Sequence, residues 1–258
     1  MSFMSELPGV LAEMLHGMKY DVVTMGDTKD DVICFKKGYE VCFLKTGKLN
    51  PEAYRERDML LWLKDKLPVP SVLHWHETAE DFFLLTSCAV GEMACTKRGL
   101  AHEESEAVAA LADGLLQFQG IDISVCPLTN RLEQRLDAAL YNIENNLVDM
   151  EDFAENGRFD TPMELYDYLV KNRPSEELSL THGDYCLPNI FIKNSKATGF
   201  IDMGRGGVAD KYQDIALCFR SLRYNTFEQC DKNMLFEYLG IEPDWAKVDY
   251  YILLDELF

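Results

Sequence analysis

Strand-type and helix-type hydrophobic patterns are segregated along this chain, and that segregation limits the folds open to it more than any other feature. Up to residue 86 the apolar residues fall in short β-prone runs, at 22–25, 32–35, 41–45, 72–75 and 82–86. Polar turns at 26–30 and 36–38 separate the first three, so 32–35 and 41–45 are predicted to form a hairpin. One helix interrupts the strands. Asn50 supplies its cap, Pro51 its first turn, and Pro68 and Pro70 stop it just past residue 66. From residue 103 helical spacing takes over, at 103–118 and 129–145, then behind a Thr161-Pro162-Met163-Glu164 capping box at 165–170. Short apolar stretches at 178–180, 190–192 and 200–201 precede three closing helices near 214–223, 228–239 and 244–257. This order predicts an α+β, two-lobed protein. A small β-rich lobe would span 1–86, a hinge 87–91, and a larger, mainly helical lobe 92–258. A cleft between such lobes is where a ligand is expected.

The chain has 258 residues, enough for a substantial core. No apolar run reaches the ~18 residues of a membrane span. The N-terminus has no basic start before an apolar stretch, so a cytoplasmic protein is expected. Forty-four acidic against 25 basic residues give a net charge of −19. That argues against a broad nucleic-acid or anionic-membrane surface, which needs a basic footprint. It suits a cationic partner or substrate, although acidity also serves solubility. Eight cysteines without a Cys-x-x-Cys and five histidines without a His-Glu-x-x-His offer no zinc-type spacing. Several cysteines fall in apolar runs, as in Val41-Cys42-Phe43-Leu44, and read as buried free thiols of a reducing compartment. His74 and His76, flanking Trp75, read as structural.

The chemistry concentrates in Thr181-His182-Gly183-Asp184, Asn189 and Asp202, the last within Gly199-Phe200-Ile201-Asp202-Met203-Gly204-Arg205. Asp184, Asn189 and Asp202 each follow or flank a short apolar strand, where a rigid scaffold can hold polar groups at a cleft. A carboxylate and an amide oxygen are hard ligands suited to Mg²⁺. A second carboxylate can then orient a hydroxyl or take its proton. The order His-x-Asp, Asn, Asp-x-Gly is similar to the protein-kinase set, with Gly183 in place of the kinase arginine. That set also needs a strand lysine and a helix glutamate. Lys45 ends the run Val41-Cys42-Phe43-Leu44-Lys45. Glu56 is in helical register with Met59, Leu60, Leu63 and Leu67, on the apolar face. A lone inward carboxylate is costly to bury, so Glu56 needs a cation, and Lys45 is the natural one.

At these residues the sequence resembles the aminoglycoside phosphotransferase family of the kinase-like superfamily, most of all its 3'-phosphotransferases. The similarity runs from about residue 41 to the last residue, through Asp210, Asp214-Ile215-Ala216, Arg220-Ser221 and the terminal Asp255-Glu256-Leu257-Phe258. It is weaker in the middle helices. The resemblance implies an ATP- or GTP-dependent, Mg²⁺-dependent kinase acting on a hydroxyl, the 3'-hydroxyl, of a cationic aminoglycoside, and so conferring resistance. It implies Asp184 as the carboxylate that orients or deprotonates that hydroxyl, Asn189 and Asp202 as Mg²⁺ ligands, and Arg205 beside the reacting phosphate. Lys45 would contact the α- and β-phosphates, fixed by Glu56. Phe43, on the strand face of Lys45, would stack on adenine, and backbone groups of Ser87 and Ala89 would bond the adenine edge.

Residues 26–31 would cover the phosphates, with the Thr28 hydroxyl available and Asp30 and Asp31 required to point away. Asp255, Glu256 and the carboxylate of Phe258 form an anionic cluster that a helix C-terminus disfavours and a cationic ligand would offset. Arg220 is assigned to the same substrate side. Asp149, Glu151, Asp152 and Glu155 form a second acidic stretch open to such a ligand. Tyr224 stands where close relatives carry an acid, which leaves the drug spectrum open. No nucleic acid, membrane or particular oligomeric state is implied. The rivals are a kinase for another small hydroxyl substrate, such as a macrolide, choline or an amino alcohol, and a non-catalytic nucleotide-binding protein. A protein kinase is disfavoured because no Ala-Pro-Glu signature follows Asp202-Met203-Gly204.

Overall fold

The computed structural model is described over residues 7–23, 30–97, 100–151, 153, 157–225, 227 and 233–258. The early β-prone runs pair into one antiparallel sheet of order β1-β2-β3-β5-β4. Its strands are β1 (Lys19–Val23), β2 (Asp31–Lys37), β3 (Glu40–Lys48), β4 (Val72–Glu77) and β5 (Asp81–Ser87). Period two then sorts the side chains of β3: Cys42, Leu44 and Thr46 are buried, while Phe43 and Lys45 share the other, half-open face. A short helix that the sequence pattern did not announce, α1 (Gly9–Met14), covers the buried face. Leu11 and Leu15 pack there with Ile33, Phe35, Leu44 and Leu85. One and a half turns are too few for a period to stand out.

Helix α2 (Pro51–Leu63) starts where its cap predicts, with Asn50 Oδ1 accepting from Ala53 N at 2.9 Å. Met59, Leu60 and Leu63 are buried, and Glu56 is buried among them. Beyond β5 come β6 (Glu92–Met93), α3 (Ala101–Gln119), α4 (Leu132–Glu144), α5 (Pro162–Lys171), β7 (Leu178–Thr181), β8 (Ile190–Lys193), β9 (Lys196–Phe200), β10 (Gly207–Asp210), α6 (Lys211–Tyr224), α7 (Met234–Leu239) and α8 (Trp245–Asp255). The expected helix at 228–239 is present over Met234–Leu239, and residues 228–232 lie outside the described residues. The capping box of α5 is half formed. Thr161 Oγ1 accepts from Glu164 N, but Glu164 Oε2 accepts from Asp160 N instead of Thr161 N.

Two small sheets, β10-β7 and β6-β8-β9, position the chemistry-bearing segments. Pairing of Gly207 with Thr181 sets the segment after β7 against the turn before β10. The β8–β9 hairpin sets Asn189 beside Ile201, whose N–H donates to the Asn189 carbonyl at 3.1 Å. One continuous core links Met59, Leu63 and Phe82 to Phe118, Tyr185 and Phe200. Phe118 lies edge-on to Phe200 at 4.9 Å and to Tyr185 at 6.2 Å.

The seven described cysteines are free thiols: Cys34, Cys42 and Cys218 are buried, but Cys88 is exposed, so the expectation of buried thiols holds only for part of the set. His74 and His76 stack on one another, and His76 also meets Phe83. Among the described residues no helix is long and apolar enough to cross a membrane.

Candidate active site

Lys45 Nζ lies 2.9 Å from Glu56 Oε2 and 2.8 Å from Asp202 Oδ1, joining residues separated by 157 positions in sequence. Its side chain is 18% exposed and that of Glu56 8%. Burial pulls the ammonium down, but the two carboxylates outweigh it and hold it above its usual value. For Glu56 the balance is reversed: burial pushes its carboxyl up against the pull of Lys45. Asp202 is held below the usual carboxylate range, because the Lys45 ammonium outweighs burial. Asp30 departs from expectation. It turns toward Lys45, with Oδ2 at 3.8 Å, drawn by the same ammonium, and burial raises its carboxyl. Asp31, the first residue of β2, is exposed. Thr28, with the rest of the expected covering loop up to Lys29, lies outside the described residues.

The second half of the site is the loop after β7. His182 is fully buried. Its Nε2 pairs with the Ile201 carbonyl at 2.9 Å and its Nδ1 accepts from Asp184 N at 3.3 Å, which assigns the Nε2–H tautomer from the network. Asn189 Nδ2 donates to the Asp184 carbonyl at 3.1 Å and to Asp184 Oδ2 at 2.9 Å. That fixes the amide and turns its Oδ1 away from Asp184. Gly183 has φ +86, and a Cβ there would stand 2.1 Å from the Arg205 carbonyl. The kinase arginine cannot fit at this position, so its replacement by glycine is steric.

Asp214 carries part of the family resemblance but was given no role by the sequence. Its carboxylate accepts from His182 N at 2.6 Å and Gly183 N at 2.9 Å, holding the loop to α6. Burial pushes its carboxyl up, to about 7, against those two N–H groups. Its place in the Asp214-Ile215-Ala216 run of the resemblance was the available signal. Arg55 was also missed, and no pattern marks it. It donates to the carbonyls of Gly204, Gly206 and Thr129. Asp202 itself has left-handed backbone, φ 62 and ψ 56, and opens a short turn over Met203–Arg205. Arg205 faces α2, with Nε 3.4 Å from Glu52 Oε1.

Toward the expected hinge, Ser87 N–H donates to the Ser71 carbonyl and Ser87 Oγ accepts from Ser71 N. Of the backbone groups named for Ser87, only its carbonyl is left to offer. Ala89 and Phe43 are half-buried. At the far end Asp255, Glu256, Phe258 and Arg220 come together, but the cluster is not a bare anion. Asp255 is bonded by Arg220 at 2.5 Å and Arg135 at 3.2 Å, and these two cations outweigh burial to hold its carboxyl low. Arg135 also lies 4.0 Å over the Phe258 ring. Leu257 is fully buried, and its carbonyl accepts from Asn142 Nδ2. The penalty expected of an anionic helix end is thus offset inside the protein. Asp149 and Glu151 are exposed on the surface, while Asp152 and Glu155 lie outside the described residues. Tyr224 is 85% exposed.

The APH phosphotransferase enzyme family matches this chain over residues 37–251. An aminoglycoside 3'-phosphotransferase of Enterococcus faecalis is 47% identical over 207 residues, covering 79% of this chain and 78% of its own. The crystal structure of a type VIII aminoglycoside-3'-phosphotransferase superposes with a TM-score of 0.86 at 26% identity, over 99% of both chains. An aminoglycoside phosphotransferase of Streptomyces rimosus, solved in complex with ADP and streptomycin, superposes with a TM-score of 0.79 at 26% identity, over 92% of each chain. The matched stretch begins at the end of β2 and runs into α8, so it takes in Lys45, Glu56, Asp184, Asn189 and Asp202, and the chain belongs to the aminoglycoside phosphotransferase (APH) family.

Proposed function

We propose that this chain transfers the γ-phosphoryl group of ATP to the 3'-hydroxyl of an aminoglycoside antibiotic and thereby confers resistance. The observation that carries the reading is the meeting of Lys45 with Glu56 and Asp202, opposite a loop in which Asn189 grips Asp184. Asp184 orients the acceptor hydroxyl and receives its proton as the oxygen attacks the γ-phosphorus. The bond from that phosphorus to the β–γ bridging oxygen breaks, and ADP leaves. Lys45 neutralises the α- and β-phosphates, and Glu56 holds it in place. Arg205 stands by the transferring group. Phe43 offers its ring to the base, while the Ser87 carbonyl and Ala89 N–H serve its edge. This division of labour puts a nucleotide lobe at 1–86, a hinge at 87–91 and the catalytic lobe at 92–258.

The donor set suits Mg²⁺. Among the described residues no group of three or more His, Cys, Asp or Glu could hold a metal by itself. Mg²⁺ in a nucleotide site needs only one or two protein oxygens beside phosphate and water, and Asp202 with Asn189 Oδ1 supplies them. When bound there, the ion neutralises charge on the β- and γ-oxygens. For the substrate, Glu256 and the Phe258 carboxylate are the anions offered to ammonium groups. Asp255 and Arg220 order them, and a net charge of −19 favours approach of a polycation. Dependence on cellular ATP and the free thiols fit a cytoplasmic enzyme.

The test is ADP release with a kanamycin-type acceptor, its 3'-deoxy analogue, a macrolide and choline. Turnover is expected with the 3'-hydroxyl compound alone, and Asp184→Asn is expected to slow it about 10²–10⁴-fold. Equal turnover of the deoxy analogue would remove the 3' assignment. Turnover of choline or the macrolide instead would remove the substrate class, and a wild type no faster than Asp184→Asn would remove the enzyme.

A further inference from the structure

Arg55 lies one residue before Glu56 on α2, about 100° round the helix from it, and the reaction outlined above gives it no part. Its Nε donates to the Gly204 carbonyl at 3.1 Å, and its Nη2 to the Gly206 carbonyl at 2.8 Å and the Thr129 carbonyl at 3.2 Å. An arginine in a phosphate site usually pairs with an anion. Here three backbone carbonyls take its Nε and Nη2 donors, so what these fix is a chain path. All three acceptors lie outside the five-stranded sheet, in the segment before α4 and the turn before β10. Two bracket Arg205 in the turn that follows Asp202, and Thr129 is bridged to Val208 on β10.

The same turn is pressed against the first turn of α2. A Cβ on Gly204 would lie 2.5 Å from Glu52 Cγ, and Glu52 Oε1 reaches back toward Arg205. Asp202 sits in the left-handed region. A non-glycine residue is strained there and persists only where its surroundings hold it. The clamp on Gly204 and Gly206 is such a constraint, placed two and four residues downstream.

We propose that Arg55 is a positioning residue, which clamps the 204–206 backbone to α2 and so keeps Asp202 and the Lys45–Glu56 pair assembled as one site for magnesium-bound nucleotide. In protein kinases the corresponding helix is moved into place by phosphorylation of an activation loop. In this chain the helix is fastened to the turn by its own side chain, and no modification is required. The proposal rests on the phosphotransferase reading for the identity of the ligand.

Calorimetric titration of ADP with and without Mg²⁺, on wild type, Arg55→Met and Arg55→Lys, reads the clamp without any acceptor. Metal-free ADP affinity is expected to stay within twofold of wild type. The gain in affinity brought by Mg²⁺ is expected to fall at least fivefold in Arg55→Met and by less in Arg55→Lys, whose single ammonium replaces part of the fork. With an aminoglycoside acceptor, kcat should fall in the same order while the acceptor KM holds. If Arg55→Met is too unstable to titrate, the lysine variant decides: a reduced Mg²⁺ gain supports the clamp and an undiminished one overturns it. Equal losses with and without Mg²⁺ also overturn it, because they signal general damage. A wild type that binds magnesium-ADP tightly yet phosphorylates no aminoglycoside would sink the substrate reading and leave the clamp standing.

Discussion

Asp30 competes for the ammonium that a triphosphate would use. It lies 3.8 Å from Lys45 Nζ, which already has two closer carboxylates. Phosphate oxygens entering that environment must displace it, so removing its charge should help ATP. Asp30→Asn is expected to lower the KM for ATP by up to about fivefold, the ceiling for a pair of this exposure, with kcat little changed. Steady-state kinetics at saturating acceptor measures this, and a rise in KM would show that Asp30 assists nucleotide binding. Single residues also mark how far motif reading reaches. Glu56 was legible because an acid on an apolar helical face demands a cation. Arg55 was not, because its partners are carbonyl groups, and every residue type carries one.

At the scale of elements, α6 matters to the site through one inward acid. Asp214 presents its carboxylate to two consecutive buried N–H groups of the loop that carries Asp184. Asp214→Ala would strand both donors, and each such loss costs about 1–3 kcal/mol. A total loss of about 2–6 kcal/mol in urea unfolding is expected, with a smaller loss for Asp214→Asn, which keeps one acceptor. An alanine variant as stable as wild type would show that water replaces the carboxylate. Elements with a local signature were readable. Asn50 caps α2 and Thr161 caps α5 where their patterns put them. Strands β6 and β10, of two and four residues, have no such signature, because their stability comes from partners distant in sequence.

The whole molecule answers to pH through a group no exposed surface reports. His182 is neutral, with both ring nitrogens bonded, and burial holds it below its ordinary value. The unfolded chain regains a histidine near 6.5, roughly the unperturbed value. At His182 the folded state therefore binds fewer protons than the unfolded one in acid, whereas at Glu56 and Asp214, raised by burial, it binds more. The stability His182 gives is present above about pH 6.5 and is lost as pH falls below it, by up to about 1.4 kcal/mol per unit. Both carboxyls are kept in His182→Gln, so in urea unfolding the stability of wild type relative to that variant should fall between pH 8 and pH 5.5. Parallel curves would mean that the imidazole takes up its proton inside the fold.

What the sequence determined alone was the order of element types, the caps, and the identity and chain order of Lys45, Glu56, Asp184, Asn189 and Asp202, since these are written in local spacing and side-chain chemistry. Tertiary structure alone decided who neutralises whom. Asp255 is an anion at a helix end by sequence, yet Arg135 and Arg220, 120 and 35 positions away, take up its charge. Asp30 was expected to turn outward, yet it faces Lys45. Coulombic partnership depends on distance in space and on the solvent each group gives up, and neither quantity has a counterpart in the spacing of residues along a chain.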